Sequence, residues 1–142
     1  DNITTVELGE AIAEFAKAEV APGCILLARQ EVNPQAFGVA VLGENGEVVD
    51  IVEKPEVPPS NLAIGGIYMF DEQFWTLVDE GVKEKGAQFS ITDVNRRYVQ
   101  RGAAQLITVG EDTWVDCGTP DSLLHASQMA KDGKLNPHPF RT

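Results

Sequence analysis

An Asn-Gly pair at positions 45 and 46 is the feature that most constrains the fold, because it lies between two strand-like runs. The runs extend from Phe37 to Leu42 and from Glu47 to Val52. An Asn-Gly pair is the strongest short-range signal for a β-hairpin, since both central residues of such a turn take positive φ. The sequence therefore predicts an antiparallel strand pair, with positive φ at both central turn residues.

Helix and strand patterns alternate around this hairpin. A capping box of Thr4 and Glu7 precedes an amphipathic helix that ends at Pro22-Gly23. Further strands are predicted at 24–28, 62–70, 106–109 and 113–116, and further helices begin at Asp71, at Thr92 or Asp93, and at Thr119-Pro120. The alternation predicts an α/β fold, a three-layer sandwich around a mixed sheet. We expect one domain over residues 1–131 and a short irregular tail over 132–142.

Charge and composition exclude several classes of function. Eleven basic residues against 22 acidic ones give a net charge of −11, which disfavours nucleic acid and anionic membranes as partners. The sequence has no long apolar run and no signal-peptide pattern, which predicts a cytoplasmic location. Cys24 and Cys117 fit no metal or redox spacing and are expected to be buried thiols. No phosphate-binding Gly-Lys-Ser/Thr motif, dinucleotide motif or nucleophile elbow occurs.

Three charged positions are candidates for chemistry. Asp1 and Asp116 each lie beside a strand-like segment, and together they could form an oxygen site for Mg²⁺, or each could be an ordinary loop residue. Lys54 follows Glu53 at a strand end. The lysine could bind a phosphate while the glutamate accepts sugar hydroxyls, or the two could form a solvated ion pair.

Glycines within strand patterns raise a second question. Gly65 and Gly66 interrupt an otherwise good strand, and either the close approach of a ligand or backbone or a β-bulge would explain them. Gly38 carries the same ambiguity. Tyr68 could contact a ligand with its hydroxyl or could be part of the core.

Seven short motifs occur in an order that resembles the sugar nucleotidyltransferases, and within them the glucose-1-phosphate thymidylyltransferases. The motifs are Asp-Asn-Ile, Phe-Gly-Val-Ala, Glu-Lys-Pro, Pro-Ser-Asn-Leu-Ala, Gly-Ile-Tyr-Met-Phe-Asp, Ile-Thr-Asp-Val-Asn and Trp-Val-Asp-Cys-Gly-Thr-Pro-Asp-Ser-Leu-Leu. The resemblance implies a nucleotidyltransferase fold. It also implies transfer of a nucleotidyl group from a nucleoside triphosphate, dTTP, to glucose 1-phosphate, with release of pyrophosphate.

The same resemblance assigns roles to the candidate residues. It implies that Asp1 and Asp116 bind Mg²⁺ and are catalytic, with Asn2 at the substrate. It implies that Lys54 binds the sugar phosphate as a further catalytic residue, and that Glu53 binds the sugar hydroxyls. Two more positions, Gly38 and Tyr68, match residues of the family's sugar pocket.

Two departures from the family pattern qualify these expectations. The Gly-rich, Arg-bearing nucleotide half of the family does not occur in the sequence, so we expect the 142 residues alone not to turn over substrate. Gly86 and Gln88 stand where the family has a phosphate-facing Arg and a Glu. The alternatives are a non-catalytic sugar-phosphate-binding or assembly module, and a uridylyltransferase. The full-length enzyme is expected to be a homo-oligomer.

Overall fold

A computed structural model of the chain describes residues 2–5, 8–17, 23–110 and 114–135. Strands and helices alternate along these residues, which confirms the predicted α/β class. The strands are β1 (Asn2–Thr4), β2 (Cys24–Gln30), β3 (Gly38–Leu42), β4 (Val48–Glu53), β5 (Leu62–Phe70), β6 (Ala104–Val109) and β7 (Trp114–Asp116). The helices are α1 (Leu8–Lys17), α2 (Phe74–Lys85), α3 (Ile91–Gln100) and α4 (Pro120–Lys131).

The larger of two sheets has five strands in the order β4-β3-β5-β2-β6. Strand β6 pairs with β2 in parallel, whereas the other neighbours are antiparallel, so the predicted mixed sheet is confirmed. The smaller sheet consists of β1 and β7, which pair antiparallel. The chain start thus pairs with the segment that precedes α4.

The predicted hairpin is confirmed as the β3–β4 pair, but its turn differs from the prediction. The backbone N–H of Gly46 donates to the carbonyl of Gly43 at 3.1 Å, and the N–H of Gly43 donates to Glu47 at 2.8 Å. Gly46 has a φ of 82°, whereas Asn45 is not among the residues with positive φ. The loop is therefore a three-residue turn with one glycine in the left-handed region, and only that position needs positive φ.

One face of the larger sheet packs against α2 and α3 to form the core. Alternate side chains of the interior strand β2 point to this face, and Leu26 and Ala28 are almost fully buried. Leu77 of α2 and Val94 of α3 meet them from the helical side. Each buried Leu or Val contributes roughly 1.5–3 kcal/mol relative to an exposed one, so this layer holds the strands in place.

Capping residues define the two later helices. Thr119 is the N-cap of α4, where its hydroxyl accepts from the N–H of Ser122 at 3.2 Å, and Pro120 is the first helical residue, as predicted. Helix α3 is capped by Ser90 in a reciprocal box with Asp93, rather than by Thr92 or Asp93 as predicted. Thr92 is therefore inside the helix and buried.

Helix α2 also begins differently from the prediction, whereas the residues just before α1 lie outside the described ranges. Asp71 does not cap α2 directly, because the helix starts at Phe74 and Asp71 accepts from the N–H of Gln73 in the preceding turn. Thr4 closes strand β1 opposite Trp114, and its predicted partner Glu7 lies outside the described residues, so the capping box of Thr4 and Glu7 stays a prediction. Pro22 and Thr113, predicted to bound a helix and a strand, also lie outside them.

The two cysteines have different surroundings. Cys24 is buried at the start of β2, and burial raises the pKa of its thiol to about 12, so that it stays protonated. Cys117 is only partly buried, which corrects the expectation of two buried thiols. Among the described residues, no helix is both long enough and apolar enough to cross a bilayer.

An ion pair joins α3 to the edge strand β4. The guanidinium of Arg96 donates to both oxygens of Asp50, at 2.8 and 3.0 Å. These hydrogen bonds hold the pKa of Asp50 below its usual value.

We expect Asp50→Asn to lower the free energy of unfolding at neutral pH by less than about 1 kcal/mol, because both partners are part-exposed and screened. A depressed carboxyl pKa contributes stability above the pKa of the unfolded state and loses it as the pH falls through the folded value. The stabilities of wild type and variant in urea should therefore converge as the pH falls through the lowered folded-state pKa of Asp50. The exposed Asp79→Asn is the matched control; a gap that persists in acid would contradict the assignment.

Candidate functional site

The small sheet brings the first described residues to Asp116. Strand pairing places Asn2 opposite Asp116 and Ile3 opposite Val115. The Oδ1 atom of Asp116 accepts from the N–H of Gly118 at 2.8 Å, which fixes the carboxylate at the end of β7. Asp1, the other predicted metal ligand, lies outside the described residues, so its role stays a prediction.

Trp114 joins the small sheet to the larger one. Its side chain is buried, and its indole N–H donates to Oδ1 of Asn2. The ring of Phe37 meets it edge-on, with centroids 5.5 Å apart. The guanidinium of Arg29 lies 4.5 Å from the centre of the indole, donates to the carbonyl oxygen of Trp114 and pairs with Glu31. Strand β7 is thereby attached to both β1 and β2.

The two glycines of β5 accommodate this junction. The β2–β5 ladder shifts register between Leu26 and Ala28, so that Gly65 and Gly66 lie in a bulge. A Cβ atom on Gly66 would lie 2.4 Å from the side-chain nitrogen of Asn2, and one on Gly65 would lie 3.2 Å from a carbonyl oxygen of β2. Both explanations left open by the sequence therefore apply, because these glycines form a bulge and admit close neighbours.

Glu53, at the end of β4, is held from the helical side. Its Oε2 atom accepts a hydrogen bond of 2.5 Å from the hydroxyl of Thr92, and its Oε1 atom lies 4.0 Å from the ammonium nitrogen of Lys54. Gly38 lies beneath the carboxylate, since a Cβ atom there would be 3.4 Å from Oε2. One carboxylate oxygen is thus fixed by the protein, and the other faces the lysine.

Lys54 has an unusual backbone. Its φ is 43°, and it is the one non-glycine with positive φ in the part of the chain that the structure describes. The N–H of Lys54 donates to the carbonyl of Phe37 at 3.0 Å, which ends the β3–β4 ladder, and the buried Pro55 follows. An L-residue in this region carries about 1–2 kcal/mol of strain, which native structures concentrate at functional positions. The side chain of Lys54 remains 66% exposed.

Tyr68 of β5 lines the same pocket as Glu53 and packs against the hydrophobic core. Asn95 of α3 is 1% exposed. Burial, and after it the negative charge of Glu53, raise the pKa of the Tyr68 hydroxyl above the ordinary value. With the pKa above its ordinary value, Tyr68 is neutral and keeps its proton at neutral pH.

These residues line one pocket of about 360 Å³. Every predicted site residue that the structure describes belongs to its lining: Asn2, Gly38, Glu53, Lys54, Tyr68 and Asp116. A larger cleft of about 730 Å³ adjoins it and shares Lys54 and Asp116. The two departures from the family pattern, Gly86 and Gln88, lie in an exposed turn after α2 and are not among the lining residues.

The charged groups of the pocket suit a divalent cation. Its described lining contains two carboxylates, Glu53 and Asp116, and one ammonium group, that of Lys54. Asp116 offers a hard oxygen beside Asn2, which is the donor chemistry that Mg²⁺ prefers when phosphates complete its shell. Residues of this kind fit the predicted ion, although no group of three or more acidic, His or Cys side chains occurs among the described residues.

Sequence reasoning missed three residues that support the site. Thr92 was predicted as a helix cap, and the Ser90–Asp93 spacing is the signal that would have moved the helix start and turned Thr92 inward. Asn95 then follows on the same face of α3, at a spacing of three residues. Arg29 gives no comparable signal, because its partner Trp114 is 85 positions away.

Comparison with known proteins identifies relatives over nearly the whole chain. A family model described as "Nucleotidyl transferase" matches residues 1–133. The glucose-1-phosphate thymidylyltransferase of Mycolicibacterium smegmatis is 33% identical over 129 residues, covering 90% of this chain and 44% of that protein. The low-salt glycan biosynthesis nucleotidyltransferase Agl11 of Haloferax volcanii is 32% identical over 135 residues, covering 94% of this chain and 37% of that protein. The chain spans less than half the length of these relatives.

The fold also matches a solved structure. A Bacillus anthracis protein, provisionally named a glucose-1-phosphate thymidylyltransferase and crystallised with sucrose, superposes with a TM-score of 0.83 at 29% identity. The match covers 100% of this chain and 54% of that one.

The positive φ of Lys54 predicts a difference in stability between two substitutions at this position. We expect Lys54→Gly to raise the free energy of unfolding by about 0.5–1 kcal/mol relative to Lys54→Ala, because glycine takes positive φ without a Cβ clash. Both variants lose the ammonium group equally. Thermal and urea unfolding of the two variants provide the measurement, and a glycine variant less stable than the alanine variant would show that the backbone is unstrained.

Proposed function

The chain belongs to the nucleotidyl transferase family, and we propose that it forms the sugar-phosphate- and metal-binding part of a glucose-1-phosphate thymidylyltransferase. In that reaction an oxygen of glucose 1-phosphate attacks the α-phosphorus of dTTP. A P–O bond forms to the sugar phosphate, the bond to the β-phosphate oxygen breaks, and pyrophosphate leaves. The proposed substrates are supported by relatives named glucose-1-phosphate thymidylyltransferase, one of which is 33% identical to this chain.

The observation that carries this proposal is the meeting of Glu53-Lys54 with Asp116 in one pocket. These residues come from different sheets and are brought together by the fold rather than by the chain order. A phosphate ester with a polyhydroxylated ring needs this combination of a cation, a hydroxyl acceptor and a metal-binding carboxylate.

Each side chain has a role that follows from its geometry. Lys54, which lines the pocket with a largely exposed side chain, pairs with the sugar phosphate. The Oε1 atom of Glu53 accepts ring hydroxyls, since Thr92 already occupies Oε2. The hydroxyl of Tyr68 keeps its proton and donates to a sugar or phosphate oxygen. Catalysis of this type rests on orienting the two substrates and on stabilising the charge of the phosphates.

Asp116 and Asp1 are the residues that would hold Mg²⁺, with Asn2 beside them. When bound, the ion would neutralise the negative charge of the phosphates as they approach each other. Of these two aspartates, only Asp116 lies within the residues that the structure describes, and its position opposite Asn2 supports this assignment. Without a cation the pocket repels a phosphate dianion, because two carboxylates face one ammonium group in its described lining.

Removal of the ammonium group tests the phosphate subsite. We expect Lys54→Ala to weaken binding of glucose 1-phosphate in the presence of Mg²⁺ by about 2 kcal/mol, because a charge-assisted hydrogen bond is lost. Isothermal titration calorimetry measures this, and the exposed Lys83→Ala on α2 is the matched control. Equal affinities for the two variants would return Lys54 to the status of a surface ion pair.

Removal of the metal carboxylate tests the metal subsite. We expect Asp116→Asn to keep the fold but to abolish the enhancement of glucose 1-phosphate binding by Mg²⁺, because a neutral amide cannot offset the charge of the ion. Titrations with and without the ion measure the enhancement, and Asp121→Asn in the exposed first turn of α4 is the control. An enhancement that survives in Asp116→Asn would remove this residue from the metal site.

A further inference from the structure

Arg29 is a largely buried cation at the junction of the two sheets. It lies near the end of β2, and its side chain is 16% exposed. Its guanidinium donates to the carbonyl oxygen of Trp114, lies 4.5 Å from the centre of the same residue's indole, and pairs with Oε2 of Glu31 at 2.5 Å. Burying an ion pair contributes little to stability, because desolvation offsets the attraction. The three contacts therefore indicate that Arg29 fixes a geometry.

The geometry that Arg29 fixes is that of strand β7. The carbonyl that it binds is a main-chain group two residues before Asp116 in the same strand. The indole of Trp114 donates to Asn2, which lies opposite Asp116 in the small sheet. Strand β2 belongs to the larger sheet, whose edge strand β4 leads directly into Lys54. Arg29 thus joins the sheet that carries Lys54 to the strand that carries Asp116.

Arg29 lies outside the pocket that the sugar phosphate would enter. It does not occur among the described residues that line the pocket of about 360 Å³, whereas it does line the adjoining cleft of about 730 Å³. An effect of Arg29 on binding of the sugar phosphate must therefore pass through Trp114 and Asp116 rather than through contact with that ligand.

We propose that Arg29 is a positioning residue for the metal subsite: it holds the main chain of Trp114 so that the carboxylate of Asp116 keeps its distance from Lys54. The metal subsite rests on the proposed function, whereas the attachment of β7 by Arg29 does not. Groups that orient a metal ligand typically change metal affinity about 10- to 100-fold when they are removed. A guanidinium suits this role, because its planar fork donates to two acceptors while it stacks on an aromatic ring.

The first test measures the attachment of β7 without metal or ligand. The chain has two tryptophans, so a nitrogen–proton NMR spectrum contains two indole N–H signals, one from the buried Trp114 and one from Trp75, which is 72% exposed. We expect Arg29→Met to speed solvent exchange of the Trp114 indole N–H about tenfold, because β7 opens locally more often, and to leave the Trp75 signal in place. An unchanged exchange rate at Trp114 would overturn the proposal.

A core amide separates local opening of β7 from a general loss of stability. Leu77 of α2 is 1% exposed in the hydrophobic core. We expect its backbone N–H to accelerate far less in Arg29→Met than the indole N–H of Trp114 does. Equal acceleration of the two groups would overturn the proposal, because it would show that Arg29 only stabilises the whole fold.

The second test uses calorimetry to find the Mg²⁺ concentration that gives half of the maximal enhancement of glucose 1-phosphate binding. We expect Arg29→Met to raise this concentration about tenfold and to leave the affinity at saturating Mg²⁺ close to that of the wild type, because the ion's ligands are displaced but remain. The exposed Arg101→Met is the matched control. A loss of affinity at every Mg²⁺ concentration, which a purely structural role predicts, would overturn the proposal.

The two tests distinguish this proposal from the proposed function. If Mg²⁺ does not enhance binding of glucose 1-phosphate to the wild type, the proposed function fails. The exchange of the Trp114 indole N–H still decides whether Arg29 holds β7.

Arg29→Lys provides the readout if Arg29→Met does not fold. This variant keeps a positive charge near the indole, but its ammonium lacks the fork that reaches the Trp114 carbonyl and Glu31 together. We expect the indole exchange rate and the half-maximal Mg²⁺ concentration each to rise about threefold above the wild-type values. Wild-type values of both quantities in Arg29→Lys would overturn the proposal.

Discussion

The burial of Trp114 is the interaction on which the site depends. The indole packs against Phe37 and beneath the guanidinium of Arg29, and its N–H holds Asn2. Cation–π contacts of this kind are worth more when they are desolvated, and the Arg29 side chain is only 16% exposed. Without this packing the two sheets would share no fixed geometry, and the carboxylate of Asp116 would have no defined distance from Lys54.

The pocket combines features that stability alone would not select. A strained lysine and the buried amide of Asn95, whose carbonyl has no partner among the described residues, each carry a free-energy cost. The hydrophobic layer between the sheet and helices α2 and α3 offsets these costs. Glu53, Lys54 and Asp116 line the pocket without belonging to that hydrophobic core.

The parts of the fold that depend on local residues could be predicted from the sequence. Asn45-Gly46 indicated the hairpin, and Thr119-Pro120 indicated the start of α4. The cap of α3 was predicted at Thr92 or Asp93 instead of Ser90. Because of this error, Thr92 was not recognised as a residue that lies inside the helix and lines the pocket. Arg29 could not be found at all, because its contact with Trp114 depends on two sheets meeting. The roles of the site residues came from the family resemblance, and the pairing of Asp1 with Asp116 remains a prediction.

The pairing of β1 with β7 has a consequence for the order of folding. Trp114 and Asn2 are 112 positions apart, so bringing them together costs the entropy of closing a long loop. The β3–β4 hairpin closes only a short loop, and its entropy cost is smaller. The short ladder of the small sheet yields little free energy until the larger sheet exists to receive Trp114. The pocket is therefore completed late, and a local opening of β1 from β7 would dismantle it while the hydrophobic core remains intact.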